Sequence, residues 1–186
     1  MNKKRIFLIA IAICCLALAG TGTLAFFTAR ETAYNVITTG ELAMDLIETT
    51  TDGLPYPDEP IENVFPGMKI DKKVTVQNIG GVDFYARIAI TNTLTDADGK
   101  TDTLSDAYIL LDINETEWVK QGDHYYYYRA LLPGEETEPL FTTVTFAPEM
   151  PNEYQRSRVE IDVAAEAVQS RNNTDSPLTA AGWDEN

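Results

Sequence analysis

Val159, Ile161, Val163, Ala165 and Ala167 alternate with Glu160, Asp162 and Glu166. A period of two sends the apolar side chains to one face of a β-strand and the carboxylates to the other. The same alternation recurs along the chain. Leu42, Met44 and Leu46 carry it first. Ile70, Lys72, Val74 and Val76 read as a strand after the turn Pro66-Gly67. Phe84, Ala86, Ile88 and Ile90 alternate with Tyr85, Arg87, Ala89 and Thr91. Ala107 to Ile113 is a further apolar run, and Leu140 to Phe146 follows Pro133-Gly134. Trp118-Val119 and His124 to Ala130 flank Gln121-Gly122-Asp123, which signals a hairpin. Helical periodicity is hard to find after residue 30.

Seven to nine strands joined by Gly, Pro, Asn and Asp turns predict an all-β fold, a jelly-roll-like antiparallel β-sandwich. Asp45 to Asn63, with Pro55, Pro57 and Pro60, reads as a loop. Residues 172–186 read as a polar C-terminal tail, expected to be mobile. No internal repeat is visible.

The N-terminus follows other rules. Lys3, Lys4 and Arg5 precede the apolar run Ile6 to Ala19, and small residues close it. Thr23 and Ala25 suit the −3 and −1 positions of a signal peptidase cut, so residues 1–25 read as a signal peptide and Phe26 as the first mature residue. An uncleaved anchor is the other option, since Ile6 to Phe27 is long enough to span a bilayer. Either way the body is expected outside the cytoplasm, secreted or at the cell surface, and in contact with membrane only before cleavage.

Charge and cysteine usage narrow the function. The net charge is −15, and without the three basic residues of the leader 11 basic residues face 29 acidic ones. Nucleic-acid binding needs a basic patch, and none is present. Cys14 and Cys15 are the only cysteines and both lie in the leader, so the body has no disulfide and no thiolate chemistry.

Few residues offer catalysis. His124 is the only histidine, and no His-Glu-x-x-His motif accompanies it, so no catalytic, cofactor or metal residue is assigned. Asp96 to Asp102 resembles half of a calcium loop, but Asp98-Gly99 is also a strong hairpin turn. Tyr125 to Tyr128 put two rings on each face of a strand, for core packing, for sugars or for a neighbouring subunit. Lys72, Lys73 and Asn78 are the residue types of an isopeptide bond, which needs them in contact.

Several stretches together resemble one family. "GTLAFFTARETAYNVITTGELAMDL", Gly22 to Leu46, resembles the start of TasA/camelysin proteins. "VFPGMKIDKKVTVQNIGGVDFYARIAI", "YYYYRALLPGEETEPLFTTVTF" and "VEIDVAAEAVQSRN" resemble their later strands. The resemblance implies a jelly-roll domain, residues 41–171, secreted by a Gram-positive bacterium after a cut by a SipW-type signal peptidase. It implies a biofilm-matrix fibre in which residues 26–40 of one subunit add as a strand to the next. The partners are then further copies of this chain, with room for an accessory matrix protein. Some members are called metalloproteases, a label that a single histidine supports poorly.

The residues agree with strand donation. A cut between Ala25 and Phe26 would expose Phe26, Phe27, Tyr34, Val36 and Ile37 in a β-prone segment with few charges. Such a segment can pair with an open sheet edge of a neighbour, or form the first strand of its own sheet. A surface binding module for glycan or protein, and a camelysin-like peptidase, are the alternative functions.

Overall fold

The two longest alternating stretches pair with each other. In the computed structural model, which describes residues 28–32, 42–57, 59–96, 99–103 and 107–183, Phe84 lies opposite Gln169 and Thr95 opposite Arg158, with no break between. In chain order the strands are β1 (Thr28–Thr32), β2 (Met44–Thr49), β3 (Lys69–Asp71), β4 (Lys73–Asn78), β5 (Phe84–Thr95) and β6 (Thr101–Thr103). They continue with β7 (Ile109–Leu111), β8 (Trp118–Gln121), β9 (His124–Tyr127), β10 (Thr143–Phe146) and β11 (Arg158–Gln169). The largest sheet runs β1-β11-β5-β9-β8, with β6 also on β5; β3-β10-β7 and β2-β4 form two smaller sheets. Every ladder is antiparallel. The expected all-β sandwich class holds.

One core joins the sheets. The large sheet contributes Phe84, Ile88, Trp118, Tyr127, Val159 and Ala165; the smaller ones contribute Met44, Val74, Val76, Val144 and Phe146. Each fully buried Val, Ile, Phe or Met side chain among these stabilises the fold by about 1.5–3 kcal/mol. Trp118 and Tyr127 face each other across β8 and β9 at 5.1 Å, and the Trp118 indole N–H donates to Glu138 O. The hairpin between them turns at Gly122, whose φ of 61° suits a glycine at the first central position of a two-residue turn.

Three expectations change. The stretch Ile70 to Val76 is two strands: β3 pairs with β10 and β4 pairs with β2, so the chain changes sheets at Lys72. The loop expected from Asp45 starts later, because β2 continues to Thr49. It is then pinned by bridges from Thr49 to Pro55 and from Ile61 to Val159. The tail is also folded as far as Trp183, through a 3-10 turn at Pro177–Thr179. Pro177 and Ala180 are buried, and the Tyr85 hydroxyl donates to Thr174 O at 2.8 Å. A short polar stretch orders here because the face it crosses is apolar at Tyr85 and Val168.

Asp112 ties the end of β7 to the start of β10, its partner in the ladder. Its carboxylate accepts from the Thr142 hydroxyl at 2.6 Å and from the Thr142 and Thr143 N–H groups at 2.8 and 2.7 Å. Burial pushes this carboxyl up, but those hydrogen bonds outweigh it and hold the group below the ordinary 3.8. A depressed folded-state pKa contributes stability that is complete above the unfolded value and is lost as pH falls through the folded one. Asp112→Asn is therefore expected to be less stable than wild type at pH 7, with the difference vanishing on strong acidification. Urea melts across the acid range check this.

Candidate functional site

The outer edge of β11 meets Ile61, the Lys72 side chain and β1 in turn. Alternate residues of a strand turn their backbone groups to opposite sides. Val159 exchanges both of its hydrogen bonds with Ile61, at 2.7 and 2.8 Å, so the odd-numbered residues of β11 face outward along this edge. The even-numbered ones face β5. Further along, Ala164 to Val168 pair with β1, Thr28 opposite Val168 and Thr32 opposite Ala164. Residues 28–32 of the segment expected to be donated thus lie on the chain's own sheet, as an edge strand. Phe26, Phe27, Tyr34, Val36 and Ile37, and the expected cut between Ala25 and Phe26, lie outside the described residues.

The sheet beneath this edge carries a buried ion pair. Glu166 and Arg87 are cross-strand neighbours, 3% and 4% exposed. Arg87 Nε and Nη2 donate to Glu166 Oε2 at 2.8 and 2.6 Å, and Nη1 donates to the Tyr126 hydroxyl at 3.2 Å. The Trp183 ring covers the guanidinium at 4.8 Å and meets Tyr126 edge-on at 5.6 Å. The C-terminal strap therefore keeps water from a charge pair that alternation alone would leave in solvent. Sequence reading missed this cluster. The available signal was a lone Trp183 in an otherwise polar tail.

A second buried charge reaches the same edge from the opposite layer. Lys72 is 4% exposed, its Nζ 2.9 Å from Glu48 Oε1 and 4.5 Å above the Tyr56 ring. Burial, then the Glu48 charge, push the Tyr56 phenol up. The isopeptide constellation is not assembled. Lys73 faces Glu136 at 3.9 Å, and the Asn78 amide donates to Val82 O and Leu131 O.

The other candidates separate in space. His124 opens β9 opposite Ala89 and Gln121, its ring 6.2 Å from Tyr126. Tyr127 is core and Tyr126 lies under the strap. Tyr125 is half-buried with Lys120 over its ring, and Tyr128 is exposed beside Arg129. The Asp96 carboxylate accepts the Lys100 N–H at 2.8 Å, and Gly99, with φ 80°, donates to Asp96 O, as a hairpin turn requires. A groove of about 1370 Å³ runs past Ile90, Ile109, Leu110, His124, Tyr125 and Trp183.

Among the described residues no group of three or more His, Cys, Asp or Glu stands close enough to hold a metal, and no helix is long and apolar enough to cross a membrane. A model of the family described as camelysin metallo-endopeptidase matches residues 1–108. No curated protein and no solved structure matches the chain.

Proposed function

We propose, from the premise that this chain belongs to the camelysin metallo-endopeptidase family, that it is a secreted fibre subunit whose N-terminal segment is donated to the β11 edge of a neighbour. One observation carries this reading. β1 is five residues long, lies at the N-terminal end of the described chain, and pairs only with β11 among the described strands. Leaving its own sheet would break one ladder and bare Ala164 to Val168. The same ladder re-forms when the β1 of another copy arrives, so the exchange conserves hydrogen bonds. Because the donor and acceptor surfaces differ, each addition leaves a new acceptor, and the assembly grows as a filament. A SipW-type signal peptidase would free the segment by cutting between Ala25 and Phe26. The acidic surface would keep unassembled subunits soluble.

The family description implies a metal, and the donor set fits one badly. Catalytic zinc sites in peptidases draw on two or more histidines with a carboxylate. Here the only histidine sits in a hairpin beside Tyr126, and no cysteine follows Cys15. No hydrolytic step is derived from these residues.

Electron microscopy of protein beginning at Phe26 tests the reading in three arms. Filaments are expected at high protein concentration with the wild type, with a metal chelator and with His124→Ala. Monomers at every concentration would end the fibre reading. Proteolysis lost with chelator or with His124→Ala would restore the peptidase.

A further inference from the structure

Glu166 stands in register between two arginines. Arg87 of β5 is opposite it on one side, and Arg30 of β1 is opposite it on the other. Residues directly opposite in an antiparallel ladder share a face of the sheet, so the three positions form a row across three strands. Both bonds from Arg87 to Glu166 end on one oxygen, Oε2. A carboxylate has two oxygens with about four acceptor positions between them, which suits a place between two basic residues.

The rest of the ladder says little about where β1 should sit. The other β11 residues in it are Ala164, Ala165, Ala167 and Val168, small and uncharged. A slip of two residues leaves every side chain on its original face, so such a row discriminates weakly between registers. Charge does discriminate. Residues 26–40 contain one basic residue, Arg30, with Glu31 next to it. Moved two residues either way, β1 would set Thr28 or Thr32 opposite Glu166. Moved by one, it would set Ala29 or Glu31 there, and Glu31 brings like charges together. Of these registers only the observed one sets a basic residue opposite the acid. Opposite charges across a ladder stabilise it and like charges destabilise it. Glu166 is almost wholly out of solvent, so salt and water screen its charge weakly.

We propose that Glu166 sets the register of β1 on β11 by holding the place opposite it for a basic residue. Between copies this rests on the strand-addition reading above. There Glu166 becomes the residue by which an acceptor edge recognises its donor, a β-prone segment with a single arginine. It is a positioning residue, tied to Arg87 inside the sheet and matched to the edge strand beyond.

Disulfide trapping tests it, on the full chain in mild detergent with Cys14→Ser and Cys15→Ser, which removes every native cysteine. Thr32→Cys and Ala164→Cys then make a reporter pair at a position without mutual hydrogen bonds, where opposed Cα atoms stand closest. Mild oxidation is expected to join them. Arg30→Glu combined with Glu31→Arg keeps composition and net charge. It is expected to slow the joining by about tenfold, the effect of turning an opposite-charge pair into a like-charge one. The melting temperature of the body is expected to stay the same. Arg30→Lys keeps the charge and is expected to join at the rate of the reporter chain. No joining in the reporter chain would overturn the proposal, and so would an undiminished rate in the swapped variant. A loss in Arg30→Lys as large as in the swapped variant would overturn it too, because shape and not charge would then set the register. A lower melting temperature in the swapped variant would assign the loss to the fold and overturn it likewise. Joining within one chain and joining between chains report the same register. Joining confined to single chains at every protein concentration would count against the fibre reading and leave this one standing.

Discussion

Protein beginning at Gly40 is expected to form no filaments at concentrations where protein beginning at Phe26 does. The deletion removes β1 and the two phenylalanines before it. Each phenylalanine buried at a junction contributes about 1.5–3 kcal/mol. Losing both would weaken each contact by roughly 100-fold to 10,000-fold, before the β1 hydrogen bonds are counted. The body is expected to remain folded, since the core is built from β2 and later strands. Electron microscopy reads assembly, and circular dichroism with thermal melting reads the fold. Exchange at Ala165 and Ala167 adds a local readout, because their outward amides lose β1 as partner. Unchanged filaments would remove strand donation as the mechanism. An unfolded truncated protein would make β1 an indispensable strand of its own domain.

The second large effect belongs to the Arg87–Glu166 pair. Removing one partner strands a charge that is almost wholly out of solvent. Breaking a buried pair in this way costs about 3–5 kcal/mol. For a domain of this size that corresponds to a melting temperature lower by roughly 6–20 °C. Arg87→Met and Glu166→Met are each expected to show this loss. The double variant is expected to recover most of it, because no unpaired charge remains. Thermal melts of the three variants form the double-mutant cycle. Single variants within a degree or two of wild type would mean that the strap leaves the pair hydrated.

The strands were legible where their period stood alone. β5 and β11 announce themselves by alternation, and the β8–β9 hairpin by the Gly122 turn between apolar strands. The break at Lys72 was not legible. A strand that changes partners keeps its period of two, and only the pairing of β3 with β10 and of β4 with β2 reveals the switch. Glu166 misled for a related reason. In an alternating strand a carboxylate reads as solvent-facing, yet its burial depends on Arg87, 79 positions earlier, and on Trp183 from the tail. The candidate site was half legible. The β-prone character of residues 26–40 was legible, while the edge of β11 on which residues 28–32 lie emerged only from the neighbours that β11 acquires in three dimensions.

The place of β11 in the chain has a consequence for timing. It is the last of the described strands in chain order, yet it joins β5 to β1 inside the largest sheet. Until Arg158 to Gln169 arrive, β5 has no partner on that side and β1 has none among the described strands. Pairings so distant in sequence bring the chain ends together late and make for slow folding. Meanwhile the stretch Phe84 to Ile90 is an apolar, β-prone segment with a single charge, the kind most prone to stick to its own copies. A chain emerging residue by residue thus leaves one side of this strand open until Arg158 to Gln169 follow it. Its window of risk closes only when the final strand and the strap behind it fall into place.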